Sequence, residues 1–165
     1  SNHAYAHVTT QGATRIYKME QDFATQMVNI AVADGCYFEY IPDQIIPFRN
    51  SRFCQIVNLK IHESATMIYS EMLVPGRVAS GESFEYDICY IKTIAKDNVE
   101  KLRFIDIMKL EPKKENLESF GIMNNFGIIA NVYILCKEKY VSHLKEKINK
   151  KIKKFCSFLL LFASR

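Results

Sequence analysis

The side chains best able to do chemistry gather between Tyr69 and Phe84, where Glu71, Arg77 and Glu82 are interleaved with Gly76 and Gly81. Two carboxylates flanking one bond are the equipment of a glycosidase, one serving as acid and the other as base or nucleophile. Glu71 and Glu82 therefore define one reading, a β-fold carbohydrate hydrolase, which requires both groups in one cleft with one pKa raised by burial. No histidine, nucleophile or metal cluster joins them in the sequence, and any all-β chain offers such pairs by chance, so catalysis is the lesser reading. Arg77 and Glu82 are more simply a charge-assisted pair that pins a tight turn.

A second dense stretch runs from Phe38 to Phe53. Pro42 and Pro47 bracket the apolar pair Ile45-Ile46, and because proline offers no N–H to a ladder the chain must leave its sheet, turn a corner and re-enter near Arg52. Asp43, Arg49 and Arg52 ride on that corner, either paired with other charges or presented to a partner. His3, His7, His62 and His143 are dispersed; only His3 and His7 can approach each other, and two imidazoles make a weak metal site. Cys36, Cys54, Cys89, Cys136 and Cys156 show no C-x-x-C pair, so they read as reduced, mostly buried small hydrophobes.

The elements that position these residues are strands. Of 165 residues, 48% are hydrophobic and 24% charged, with 11 Phe, 9 Tyr and no Trp, a composition that excludes disorder and favours pleated, half-buried surfaces. One domain spanning residues 1–165 is expected, mainly β, with helically wound or sandwich-like stacked sheets over a body of about 8–136. Phe53, Val57, Leu59 and Ile61 share one face of a strand whose other face carries Arg52, Asn58 and Lys60. Thr25–Val32 and Tyr37–Ile41 read as a hairpin closed at Asp34-Gly35, and Pro75-Gly76 as a type II turn. Phe84–Lys92 is expected to place Phe84, Tyr86, Ile88 and Tyr90 on one face. Further strands are expected at Arg103–Leu110 and Gly127–Cys136, with 111–116 an exposed loop and no internal sequence repeat.

After Cys136 the period changes to about 3.6. Val141, Leu144, Ile148, Ile152 and Phe155 form an apolar stripe on a basic amphipathic helix of about 137–157. Residues 137–154 hold eight Lys and two Glu, so of the chain's net +4 they carry +6 and the remainder is −2. Counterion release from such a helix defines a third reading, a nucleic-acid module, although a solvated polar face is the commoner meaning. No secretory signal opens the chain, and the apolar stretch Phe155–Ala163 is well short of the roughly 20 residues of a membrane span, so a soluble, cytoplasmic protein is expected.

Three blocks, Thr9-Thr10-Gln11-Gly12-Ala13-Thr14-Arg15-Ile16-Tyr17-Lys18, the Phe38–Phe53 corner and the Ala65–Phe84 stretch, resemble in order and spacing the hallmark blocks of the urease accessory protein UreD family, called UreH in some organisms. The resemblance covers about Val8 to Leu110, more weakly Ala130 to Cys136. It implies a non-enzymatic scaffold with an all-β, helically wound body that recruits UreF and the GTPase UreG onto apo-urease. It also implies no tightly bound cofactor, with nickel in transit through the body itself, without nucleic acid or membrane as partner. Such a passage needs polar groups inside an apolar fold, for which Glu39, Asp43, Glu71 and Glu82 are the candidates; Arg49, Arg52 and Arg77 are the candidates for partner contact. Family members are longer, so strands before the Thr-Thr-Gln block and residues after the basic helix are expected to be missing. That leaves unpaired edges and the apolar tail Phe158–Phe162 without an obvious packing partner.

Overall fold

The computed structural model describes residues 3–115, 117 and 127–152. Ten strands precede one helix: β1 (Tyr5–Val8), β2 (Thr14–Ile16), β3 (Ala24–Val32), β4 (Tyr37–Tyr40), β5 (Ile45–Pro47), β6 (Arg52–Ile61), β7 (Thr66–Leu73), β8 (Ile88–Asp97), β9 (Leu102–Leu110), β10 (Ile129–Leu135) and α1 (Glu138–Ile152). In β6 every second residue is buried, Phe53, Gln55, Val57, Leu59 and Ile61, as alternation requires of a strand with one wet face.

The strands wind into two sheets. In the first, β1, β4 and β7 pair in parallel, β5 joins β7 and β2 joins β5. In the second, β3, β6 and β8 pair in parallel. Tyr5 lies beside Tyr37 and Tyr37 beside Thr66, while Ala24 lies beside Phe53 and Phe53 beside Cys89, so each circuit of the chain stacks on the one before. This is a repeat of backbone path that the sequence does not display. The third circuit ends in antiparallel strands, β9 against β8 with a bulge at Ala95/Lys96, and β10 against β7. Parallel pairing needs a long crossover between neighbours, and here the opposite sheet supplies it.

That winding corrects the hairpin. The chain does turn at Gly35, with φ of 64°, yet β3 and β4 lie in different sheets, joined by an arch in which the Cys36 amide donates to the Ala33 carbonyl at 3.2 Å. A matching arch follows β6, the Ala65 amide donating to the His62 carbonyl at 3.0 Å, and the two stack through the Gly35 amide and the Ser64 hydroxyl at 2.9 Å. A short glycine turn suits an arch as well as a hairpin; distant strands decide between them.

Several finer expectations also shift. Gly76 has positive φ, but at 143° rather than the roughly +80° of a type II corner, and the Phe84 amide reaches back to the Pro75 carbonyl at 2.8 Å, closing a wider loop. Strand β8 begins only at Ile88. Phe84 and Tyr86 do pack on the core, but the parity slips after Tyr86, where the Asp87 and Ile88 amides both reach the Ser51 carbonyl, at 2.9 and 3.5 Å, so Cys89, Ile91 and Ala95 face inward and Ile88 and Tyr90 outward. Of the described cysteines only Cys89 is buried; Cys36, Cys54 and Cys136 are half-buried. Glu111, expected on an exposed loop, is 8% exposed between Lys109 and Lys114.

The core lies between the sheets. Ile16, Ile45, Phe53, Leu73, Tyr86 and Ile91 fill one half, and Val57, Leu59, Met67, Tyr69, Tyr133 and Leu135 the other, each drawing on both sheets as in a face-to-face sandwich. On α1, Val141, Leu144 and Ile148 are half-buried among exposed lysines. Phe155, Cys156 and the apolar tail lie outside the described residues. Among those described, no helix is long and apolar enough to cross a membrane.

Candidate functional site

Glu71 shares the inward parity of Met67, Tyr69 and Leu73 on β7, so alternation drives a carboxylate into the core, where it is 5% exposed. Its neighbours answer the resulting need for hydrogen bonds. The Tyr69 hydroxyl reaches Oε2 at 2.9 Å, and on β10 the Asn131 amide and Tyr133 hydroxyl reach Oε1 at 3.0 and 3.2 Å. Burial pushes the Glu71 pKa up; the bonds from Asn131, Tyr69 and Tyr133 oppose this, and the nearby charge of Asp106 adds to it. Tyr133 lies only 2.6 Å from Asp106 Oδ2. A phenol has one proton to give, so Tyr133 donates to only one of the two carboxylates at a time.

The network reaches across both sheets. Gln55 of β6 donates to the Tyr69 hydroxyl at 3.4 Å, and Asp106 comes from β9. The rings of Tyr40, Tyr69, Tyr133 and Phe104 stack in sequence, with centroid separations of 5.9, 5.6 and 5.3 Å, so aromatic faces wall a line of polar tips. Burial, foremost, holds the Tyr69 and Tyr133 phenols far above their usual range. Asp43 and Glu71 both line one cavity of about 10 Å³, together with Thr14, Gln26, Tyr40 and Gln55, a space the size of a single water. Asp43 stands at the Pro42 end of this cavity, its own amide donating to the Thr10 hydroxyl at 2.8 Å.

The other candidate carboxylates stand elsewhere. Glu39 alternates with the core-packed Phe38 and Tyr40 and therefore projects from the opposite face of its sheet. There Tyr37 donates to it and His7 contacts it at 2.8 Å; these bonds hold its carboxyl below the usual range and raise the Tyr37 phenol to about 12. Glu82, 7% exposed, takes both a bidentate pair from Arg77, with the Nε bond at 2.8 Å, and the Arg49 amide at 3.2 Å; the Arg77 bonds depress its pKa. The Arg77 guanidinium also lies over the Phe48 ring, 4.1 Å from its centroid. Arg49 pairs with Glu85 and Arg52 with Asp87, so all three candidate arginines are held by carboxylates of their own chain. His3 and His7 find separate partners, the Gly35 carbonyl and Glu39. Among the described residues no three His, Cys, Asp or Glu side chains group as metal ligands would.

The family described as UreD urease accessory protein matches residues 1–161. A urease accessory protein UreD from Cenarchaeum symbiosum (strain A) is 43% identical over 132 residues, which is 80% of this chain and 46% of that protein. Urease accessory protein UreD from Yersinia pestis bv. Antiqua (strain Antiqua) is 37% identical over 147 residues, 88% of this chain and 53% of its own length. The chain belongs to the UreD family. It spans about half the length of these curated relatives.

Within this UreD-family chain, sequence reasoning passed over Gln55, Asn131, Tyr133 and Asp106. One signal was legible: Gln55 sits at a core position of an otherwise apolar face of β6. Asp106 likewise shares the parity of Phe104 and Met108, which pack on the core. A polar residue in core parity demands a partner, though its identity is not local. Glu82, the second carboxylate of the hydrolase reading, does not line the cavity around Glu71 and is engaged by Arg77.

Proposed function

We propose that this chain acts in urease maturation as a scaffold without chemistry of its own, recruiting UreF and the GTPase UreG onto apo-urease and assisting nickel insertion. The observation that carries the reading is the buried, oxygen-rich line around Glu71 in a chain of the UreD family. Carboxylate, phenol and amide oxygens are ligands a divalent cation accepts, and an apolar interior offers an ion no other way through. Nickel is the cargo in this reading, entering beside Asp43 and handed past Glu71, with nothing tightly bound at rest. The cavity between Asp43 and Glu71 admits about one water, so transfer requires the strands around it to part. Glu39 and Glu82, held by Tyr37, His7 and Arg77, serve to brace the body beside that route, and Arg49, Arg52 and Arg77 meet partners only through what their carboxylates leave exposed. The compartment proposed is the cytoplasm, where half-buried Cys36, Cys54 and Cys136 stay reduced.

The test is Glu71→Gln in the full-length protein, co-expressed with urease and the other accessory proteins. Nickel content and activity of the purified urease should fall several-fold while the accessory complex still co-purifies. Normal nickel loading would remove Glu71 from the route, and loss of the complex would make it a structural residue.

A further inference from the structure

The two sheets differ on their outer faces. On the β3-β6-β8-β9 sheet the outward positions form four rows across the strands: Thr25, Cys54, Tyr90 and Lys109; then Met27, Ile56, Lys92 and Ile107; then Asn29, Asn58, Ile94 and Ile105; then Ala31, Lys60, Lys96 and Leu102. No strand position in these rows carries a carboxylate, while four carry lysine. Between the lysines, Met27, Ile105, Ile107 and Leu102 are 62%, 50%, 53% and 50% exposed. A groove of about 380 Å³ crosses this face, bordered by Asn29, Asn58, Ile94, Lys60 and Lys96.

Two carboxylates from outside the rows reach these lysines and show what they can hold: Glu111 takes Lys109 at 2.5 Å, and Glu100 takes two more. Glu100, on the turn between β8 and β9, takes Lys60 and Lys96 together, Lys96 at 3.2 Å. Both lysine side chains remain about half exposed, and an ammonium has three donors, so these two have donors left for carboxylates from outside.

We infer that this outer face is a docking surface for a protein partner whose own patch has an apolar centre and a rim of carboxylates. An exposed apolar field of this kind marks an interaction site, and the lysine frame sets the partner's sign. Separated lysines with aliphatic side chains between them fit a protein surface better than a phosphate backbone, which rewards dense positive charge. The inference rests on the scaffold reading only in its choice of probe, purified apo-urease.

The experiment measures binding of the full-length protein to immobilised apo-urease, for wild type, Ile107→Asp, the pair Lys60→Glu/Lys96→Glu, and a control, Val132→Asp, on the outer face of the other sheet. Ile107→Asp and the lysine pair should each weaken binding about tenfold or more, the lysine pair chiefly by slowing association, with the control unchanged. Wild-type affinity in both variants, or loss in the control alone, would overturn the surface and leave the scaffold reading standing. No binding by the wild type would overturn both. A fall in melting temperature of both variants would mean that another part of the same polypeptide covers the face. A dimer dispersed by Ile107→Asp, or a DNA duplex released by the lysine pair, would assign the face to a second copy or to nucleic acid, and either result would overturn the inference.

Discussion

Glu71, near the end of β7, and Glu82, in the loop that follows it, are the same residue type, yet the molecule treats them in opposite ways. Around Glu71 the protein supplies uncharged donors, Tyr69, Tyr133 and Asn131, within stacked rings, and burial raises its pKa. Around Glu82 it supplies a guanidinium and a backbone amide, and the pKa falls. Desolvation without a counter-charge favours the protonated acid; a partner cation favours the carboxylate. The difference teaches that the first region is held by packing with a polar line threaded through it, and the second by charge on a tightly folded loop.

The largest effect should come from attacking the packing. Tyr69 is 1% exposed, and Tyr69→Ala removes a ring stacked on both sides as well as a donor to Glu71, so urea denaturation should show a loss of about 4 kcal/mol. A loss below about 1 kcal/mol would mean that the interior is looser than its stacking implies. The loop should respond next. A Cβ at Gly76 would stand 2.9 Å from the Glu82 carbonyl oxygen and 3.2 Å from that of Pro47, at a backbone angle that glycine alone adopts readily. Gly76→Ala should therefore cost about 2 kcal/mol, and an unchanged stability would show that the loop gives way without cost.

The smallest effects discriminate most sharply, because their signs differ. Glu71 binds its proton more tightly folded than unfolded, so its ionisation erodes stability as the pH rises above the ordinary glutamate value of about 4.3. Glu82 binds its proton less tightly folded, so its contribution is complete above that value and fades as the pH falls through its own, lower pKa. In denaturation curves taken from about pH 2 upward, Glu82→Gln should lose ground to the wild type as the pH rises to about 4.3, and Glu71→Gln should gain on it above that value. Parallel trends in the two variants would abolish the distinction between the regions.

How much of this was readable beforehand follows from distance along the chain. The inward face of β6, the period change at Cys136 and the charge pair of Arg77 and Glu82 all depend on neighbours, and all stand in the structure. The hairpin at Asp34-Gly35 failed because the same turn serves an arch, and β3 finds its partner in β6 rather than β4. Parity on β8 failed because the chain slips by one residue between Tyr86 and Cys89, where the Asp87 and Ile88 amides share the Ser51 carbonyl, a bulge that no alternation pattern announces. Glu71 was singled out for its type, but its surroundings arrive from β6, β9 and β10.

By itself, then, the amino-acid order determined a β-rich body, the faces of its most regular strand, a basic helix and membership in one family, since alternation, helical period and ordered motif blocks are local or linear properties. Only the tertiary structure decided that Glu71 goes dry, whereas the arginine that neutralises Glu82 stands five residues away. The fate of Glu71 depends on dielectric and on groups brought from β6, β9 and β10, strands too distant along the chain for any short pattern to record.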